Sequence, residues 1–353
     1  MKKAILILTT IVIAIILFLT ACSSPKSAFM SSFRDIIKKE QYTAEFKLHP
    51  TMISGFSELA MLNPDALKES YLTVKISRDK PRDLTYNTYG LHIGGTPTMD
   101  ITAHSYKNGN TGKIFVPAAD FFQVQAPVRN LLDLTTNSVY SSVLASNKNL
   151  KEKHFDVLQT LQNATNQVID QKMVDTQSEQ LSAVEKKAAF RLYKELNDLD
   201  KTHYQTKGDA ISLTLDKQEL VRLGNALLDE FQSDEDFLNL YSEIMGQTAD
   251  GARKSWTKNL KNAQHLLSDI QQNTAIDLNT KLTVHPDADK RMKQLLMTFH
   301  YQNKTTKQQL DFGFTMELLP FEKIPVAPSN DKIISKREID KLMTDVIREQ
   351  RKQ

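Results

Sequence analysis

Residues 310–318 read Leu-Asp-Phe-Gly-Phe-Thr-Met-Glu-Leu, an unbroken alternation of apolar residues with polar residues or glycine. Successive side chains of a β-strand point to opposite faces, so this period predicts a strand with one apolar face. Pro320 follows and should end the strand, because proline cannot donate to a sheet ladder. We expect the inward face to consist of Leu310, Phe312, Phe314, Met316 and Leu318.

The same two-residue period recurs in two groups of segments. The first group covers residues 42–125 and includes alternating apolar residues around Phe46, Val74 and Ile101. The second group covers residues 276–319 and ends on the stretch quoted above. Segments with one apolar face are typical of an antiparallel sheet whose other face meets water. We therefore predict one antiparallel sheet to which both strand groups contribute.

Between the two strand groups the apolar residues follow the spacing of helices. Residues 147–273 form the predicted helical block. Thr176 with Glu179 and Asp216 with Glu219 each fit a capping box. In that motif an N-cap oxygen and a glutamate three residues on bond free amides at a helix start. The block is therefore expected to contain helices that begin at these two positions.

Two further helices are predicted at the ends of the domain. Ser335 and Glu338 fit a capping box at the start of a helix over residues 335–351. Because strands cluster with strands and do not alternate with helices, the element order favours a single α+β domain over residues 28–353. The helix that opens this domain carries five apolar residues on one face: Phe29, Met30, Phe33, Ile36 and Ile37.

The N-terminus has the layout of an export signal. Lys2 and Lys3 precede an uncharged, mostly apolar stretch over residues 4–21. A basic start followed by an apolar segment is typical of a secretory signal. The stretch is slightly shorter than the roughly 20 apolar residues of an average membrane-spanning helix. Its length alone leaves two interpretations, a cleaved signal or an uncleaved anchor.

The end of that stretch, Leu19-Thr20-Ala21-Cys22, resembles the lipobox of bacterial lipoproteins. The resemblance implies that the Cys22 thiol becomes a diacylglyceryl cysteine bearing palmitate-type acyl chains, and that the chain is cut before it. Residues 1–21 would then be the signal peptide, and residues 22–27 the lipidated cysteine with a short tether. Two acyl chains give stable anchoring, so we expect the protein on the extracytoplasmic side of the cell membrane. The alternative is a plain membrane anchor that contains a cysteine.

Composition and motifs argue against several other classes of protein. Cys22 is the only cysteine, which excludes internal disulfides, thiol enzymes and cysteine metal sites. The formal charge of +3 includes two lysines of the signal, so a nucleic-acid partner is not expected. The eight histidines are scattered without a metal-binding spacing, and no nucleophile-elbow or phosphate-loop pattern is complete. We expect no enzymatic activity, no metal and no cofactor.

The element order resembles that of half-barrel lipoprotein carriers. In those proteins a curved antiparallel sheet wraps around helices and holds acyl chains between the layers. The resemblance implies a lipid-like or other hydrophobic ligand on an apolar face that includes Phe46, Val74, Ile101 and Phe314. Two alternatives remain open from the sequence. The apolar strand faces can simply pack against the helices, or the protein can be a scaffold whose helices bind another envelope protein.

Overall fold

The computed structural model describes residues 25–32, 39–56, 64–165 and 171–352. It confirms the α+β class. Among the described residues eleven strands form one open antiparallel sheet, so the two predicted strand groups contribute to the same sheet. The strands are β1 (Gln41–Ser54), β2 (Tyr71–Asp79), β3 (Leu84–Ile93), β4 (Met99–Asn108), β5 (Lys113–Pro117), β6 (His154–Asp156), β7 (Tyr204–Lys207), β8 (Ala210–Leu215), β9 (Ile276–Pro286), β10 (Met292–Asn303) and β11 (Gln308–Leu319). Their order is β6-β5-β4-β3-β2-β1-β11-β10-β9-β8-β7.

The helices lie before, between and after the strand groups, as expected from the element order. They are α1 (Pro25–Ser32), α2 (Pro64–Glu69), α3 (Ala119–Phe122), α4 (Ala126–Thr135), α5 (Val139–Ser146), α6 (Val157–Thr165), α7 (Gln171–Asp198), α8 (Lys217–Glu230), α9 (Glu235–Met245), α10 (Ala249–Gln272) and α11 (Lys336–Gln350). The described residues divide into two compact units. Unit 1 lies within residues 1–39 and 172–313, and unit 2 lies within residues 40–171 and 314–353. Whether residues 28–353 unfold cooperatively as one domain is a separate question from this division, so the single domain stays a prediction.

Unit 1 is held together by aliphatic side chains of β8 and β9 and by a helical cluster. Leu213 is directly opposite Leu282 in the sheet, and both are almost completely buried. The buried faces of α8 and α10 meet nearby, where Gly224 lies so close to Leu267 that a larger residue would have little space. The residues that form the helical cluster are Val221, Leu228, Leu260, Ala263 and Leu267, with Trp256 and Ile270 packed against them.

Helix α1 belongs to unit 1 and begins inside the segment predicted to be a tether. Phe29 is fully buried, and its ring meets the edge of Tyr204 with 5.7 Å between centroids. The Lys26 ammonium donates a hydrogen bond of 2.9 Å to the Leu199 carbonyl. Pro25–Ser27 are therefore part of a packed helix and not of the tether. The other members of the predicted apolar face, Phe33, Ile36 and Ile37, lie outside the described residues.

In unit 2 the proline-rich segment between β11 and α11, residues 320–335, packs against β4 and β5, and α11 packs against α5 and α6. We call this segment the connector. Ile324 of the connector is buried with Tyr106 and Phe115. Ile339 of α11 is buried in a second cluster with Leu150 and neighbouring apolar residues. The capping boxes predicted at Asp216 and at Ser335 are both formed, with the side-chain and backbone bonds made in each direction.

Three details of the predicted order of strands and helices are wrong. The helical block contains three short strands, β6, β7 and β8. Helix α2 lies within the first strand group, and α3, α4 and α5 precede the block. Strands of three to six residues contain too few alternating positions for the two-residue period to be recognised in the sequence. Thr176 lies inside α7, so the capping pattern there does not mark a helix start.

Candidate functional site

A row of aliphatic side chains crosses four neighbouring strands of unit 2. Each member lies directly opposite the next in the antiparallel register. Directly opposed residues point to the same face of a sheet. The members, in order from β1 to β4, are Leu48, Leu72, Leu91 and Ile101.

A second row lies two residues along each strand and therefore on the same face. It consists of Phe46, Val74, Tyr89 and Ala103. The ring of Phe314, on β11, lies beside Phe46 with 6.1 Å between centroids. We call these two rows with Phe314 the apolar face. The structure thus brings together the four residues singled out from the sequence, Phe46, Val74, Ile101 and Phe314.

The apolar face is only partly covered. The exposed fraction is 40% for Leu48, 43% for Leu72, 38% for Leu91 and 36% for Ile101. Single exposed leucines are ordinary on protein surfaces, but contiguous apolar patches mark interaction sites or aggregation hazards. These side chains are therefore not packed as densely as those of a protein interior, where neighbouring groups leave few gaps.

On β1 and β2 the opposite face is the better buried one, although its buried residues are polar. Thr43 is fully buried and Ser77 nearly so, and their hydroxyl oxygens are 3.0 Å apart. The Glu322 backbone amide donates to the Thr43 hydroxyl at 2.8 Å, and Glu322 also pairs with Lys75. These hydroxyls bond each other and the connector, so each buried oxygen has a hydrogen-bond partner. The expected arrangement of an apolar inner face and a polar outer face is therefore reversed on β1 and β2, whereas on β3 and β4 the same face carries Leu84, Tyr86 and the buried Tyr106.

The predicted strand over residues 310–318 is formed, but its apolar side chains are not equally buried. Met316 and Leu318 are buried, whereas Leu310, Phe312 and Phe314 are half-buried. Gly313, predicted to face water, is buried as well. The alternation predicted from sequence therefore describes burial only at the C-terminal end of the strand.

Two clefts of the described residues lie elsewhere. One, of about 410 Å³, is in unit 1 between α7 and α8 and is lined by Arg191, Glu195 and Arg222 among others. Another, of about 680 Å³, is in unit 2 beside the start of α11 and includes Lys153 and Lys341. Neither is lined by a residue of the apolar face, which is therefore not the wall of either cleft.

Among the described residues three histidines of the sheet pair with aspartates, in addition to the exposed pair of His265 with Asp269 on α10, and none of these pairs was predicted from the sequence. Nδ1 of His92 lies 2.6 Å from Asp100, and Nδ1 of His104 lies 2.9 Å from Asp120. His300 pairs with Asp311 at 2.6 Å. The strand register creates the first pair, since His92 is directly opposite Asp100, and residue spacing alone carries no signal for it.

Two of these hydrogen-bonded pairs are packed against aromatic rings. The ring of His92 stacks on Tyr71, and the ring of His104 stacks on Tyr86. In the described parts of the chain none of the three histidines hydrogen-bonds a hydroxyl that could act as a nucleophile. The same parts contain no group of three side chains arranged to bind a metal.

The residues of the predicted lipid anchor, Leu19, Thr20, Ala21 and Cys22, lie outside the described residues. Among the helices that are described, none combines the length and the apolar character needed to cross a membrane. Comparison of the chain with protein families, with curated proteins and with solved structures gave no match.

Proposed function

We propose that this protein is an extracytoplasmic, membrane-anchored lipoprotein without enzymatic activity, which binds the acyl part of a lipid-like ligand on its apolar face. The observation that carries the proposal is the aliphatic row from Leu48 to Ile101, which is aligned across four strands and left open to solvent. An acyl chain needs no hydrogen-bond partner, and this row offers none from its side chains.

The exposed area is sufficient to contribute to binding. Complete burial of a leucine side chain stabilises by about 1.5–3 kcal/mol. Since roughly two fifths of each aliphatic side chain in the row remains exposed, covering it should contribute about 0.6–1.2 kcal/mol per residue. Four such residues together contribute about 2–5 kcal/mol, before the cost of association. The predicted anchor at Cys22 would hold the protein at a lipid surface, where acyl chains are concentrated.

A protein partner is the second candidate. Phe190 on α7 is 68% exposed, and Leu134 on α4 is 77% exposed. Aromatic residues are enriched where interfaces are strongest, so Phe190 is the residue that a contact with another envelope protein would bury. This candidate predicts that Phe190→Ser abolishes co-purification of a partner while leaving lipid labelling unchanged.

The acyl proposal can be tested by photo-crosslinking the full chain in membranes with a palmitate analogue that carries a diazirine near its methyl end. We expect mass spectrometry to find the label on peptides of β2, β3 and β4. Ile101→Asp should reduce this labelling at least tenfold, because an acyl chain there would bury an unpaired carboxylate.

Thr102→Asp provides the matched control. Thr102 is the next residue on β4, is also exposed and points to the opposite face. It should therefore leave the labelling unchanged. Label distributed over both faces, or equal effects of the two substitutions, would contradict the proposal and favour the protein-binding candidate.

A further inference from the structure

The face that carries the aliphatic row becomes polar towards the other end of the strands. The third row holds Ala44, Ile76, Asn87 and Ser105, and the fourth holds Tyr42, Arg78, Thr85 and Lys107. The amide of Asn87 donates to the Ser105 hydroxyl at 3.1 Å, which makes the third row a transition between apolar and polar ends. In these four rows the only charged side chains are Arg78 and Lys107. Both are cationic, and both lie in the last row.

The distance between the two ends suits a long amphiphile. Arg78 lies six positions after Leu72 on β2, and Lys107 lies six positions after Ile101 on β4. At about 3.3 Å per residue the cationic row lies roughly 20 Å from the aliphatic row. That span is comparable to the length of an extended acyl chain with its headgroup.

The charges around the last row leave that end positive. The Arg78 guanidinium is held by the Thr85 hydroxyl and by the Asp83 carboxylate in the adjoining turn. Lys107 has no ion-pair partner among the described residues. Its charge is therefore not balanced by a nearby carboxylate, and an anion at this end would be attracted to it and oriented.

We propose that the ligand is an acyl amphiphile with an anionic headgroup, whose chain lies on the apolar face and whose headgroup lies at Arg78 and Lys107. The inference rests on the proposed function and adds the ligand's charge and its orientation. Charge complementarity supports the anionic headgroup, because Arg78 and Lys107 lie at one end of the four rows and these rows contain no acidic side chain.

The test compares two photoreactive palmitates on the full chain in membranes. One carries the diazirine near the methyl end and the other carries it near the carboxylate. We expect the first to label the segments around Leu72 and Ile101, and the second to label the segments around Thr85 and Lys107. The methyl ester of each probe serves as the uncharged ligand.

A charge substitution measures the headgroup contact directly. Lys107→Met keeps most of the apolar stem and removes the charge, so it should weaken labelling by the acid about tenfold and leave labelling by the ester unchanged. Lys107→Arg should restore labelling by the acid. Lys113→Met removes an exposed cation from β5 and is the matched control, because Lys113 lies opposite Asn108 on the other face.

The outcomes separate this inference from the function on which it rests. Label on the apolar face with no preferred orientation, or equal labelling by acid and ester in every variant, would overturn the anionic headgroup while leaving acyl binding intact. An absence of label on the apolar face with either probe would overturn both.

Discussion

Replacing Asp345 with alanine should destabilise unit 2, because this carboxylate ties α11 to the end of α5. Asp345 is only 3% exposed. Its Oδ2 accepts hydrogen bonds from the Asn147 amide at 2.9 Å and from the Lys341 ammonium at 2.7 Å. Arg348 pairs with the other carboxylate oxygen at 2.9 Å. Asn147 is itself buried, so its amide has no water to replace the lost acceptor.

The expected loss follows from the burial of each partner. A buried hydrogen bond to a charged acceptor contributes about 1.5–3 kcal/mol. The side chains of Lys341 and Arg348 are each more than half exposed, so each ion pair adds less than about 1 kcal/mol. Alanine regains up to about 0.7 kcal/mol through its higher helix propensity. The net loss in the free energy of unfolding should be about 1–4 kcal/mol.

The loss should depend on pH. Hydrogen bonds from Lys341 and Asn147 hold the pKa of Asp345 below its usual range. A group whose pKa is lowered by folding stabilises the protein above its unfolded pKa, about 3.9 for aspartate. That contribution is lost as the pH falls through the lower, folded-state pKa. The difference between wild type and Asp345→Ala should therefore be full near pH 7 and smaller near pH 3.

Denaturant unfolding of the full chain in detergent, followed by circular dichroism at both pH values, would measure this difference. Asp340→Ala is the control, because Asp340 lies exposed on the same helix and its substitution brings the same gain in helix propensity. It should change the free energy of unfolding by less than about 1 kcal/mol. A loss for Asp345→Ala that matched this control, or that stayed equal at the two pH values, would refute the reasoning.

Three further substitutions test other parts of the molecule. Cys22→Ser should abolish incorporation of labelled fatty acid into the protein, since only a thiol accepts the diacylglyceryl group; retained label would show that the lipobox assignment is wrong. Met316→Ala should lower the free energy of unfolding by about 2–5 kcal/mol, because Met316 is buried. Thr315→Ala, at the half-buried neighbouring position, should lower it by less than about 1 kcal/mol. Asp216→Ala should cost about 1 kcal/mol by removing the N-cap of α8, which equilibrium unfolding would detect.

The signals that could be interpreted from the sequence are those contained within a few neighbouring residues. Alternation over residues 310–318 predicted a strand that is formed, and the Ser335 and Glu338 pair predicted a helix start that is formed. A two-residue apolar period favours a strand, and a capping pair favours a helix start, through the geometry of the local backbone. The residues that produce each structure are therefore close together in the sequence. Thr176 shows the limit of such signals, because the same pattern inside a continuous helix has no cap to make.

The candidate site needed the tertiary structure, because it depends on register and on what covers each face. The alternation of apolar and polar residues predicted that the two faces of β1 and β2 differ and that the apolar face is the buried one. The buried face is instead that of Thr43 and Ser77, whose hydroxyls pair under a connector about 280 residues further along the chain. Likewise, Leu48 and Ile101 belong to one row only because three successive strand registers align them. Local sequence determines which side chains share a face, whereas long-range packing decides which face stays open to a ligand.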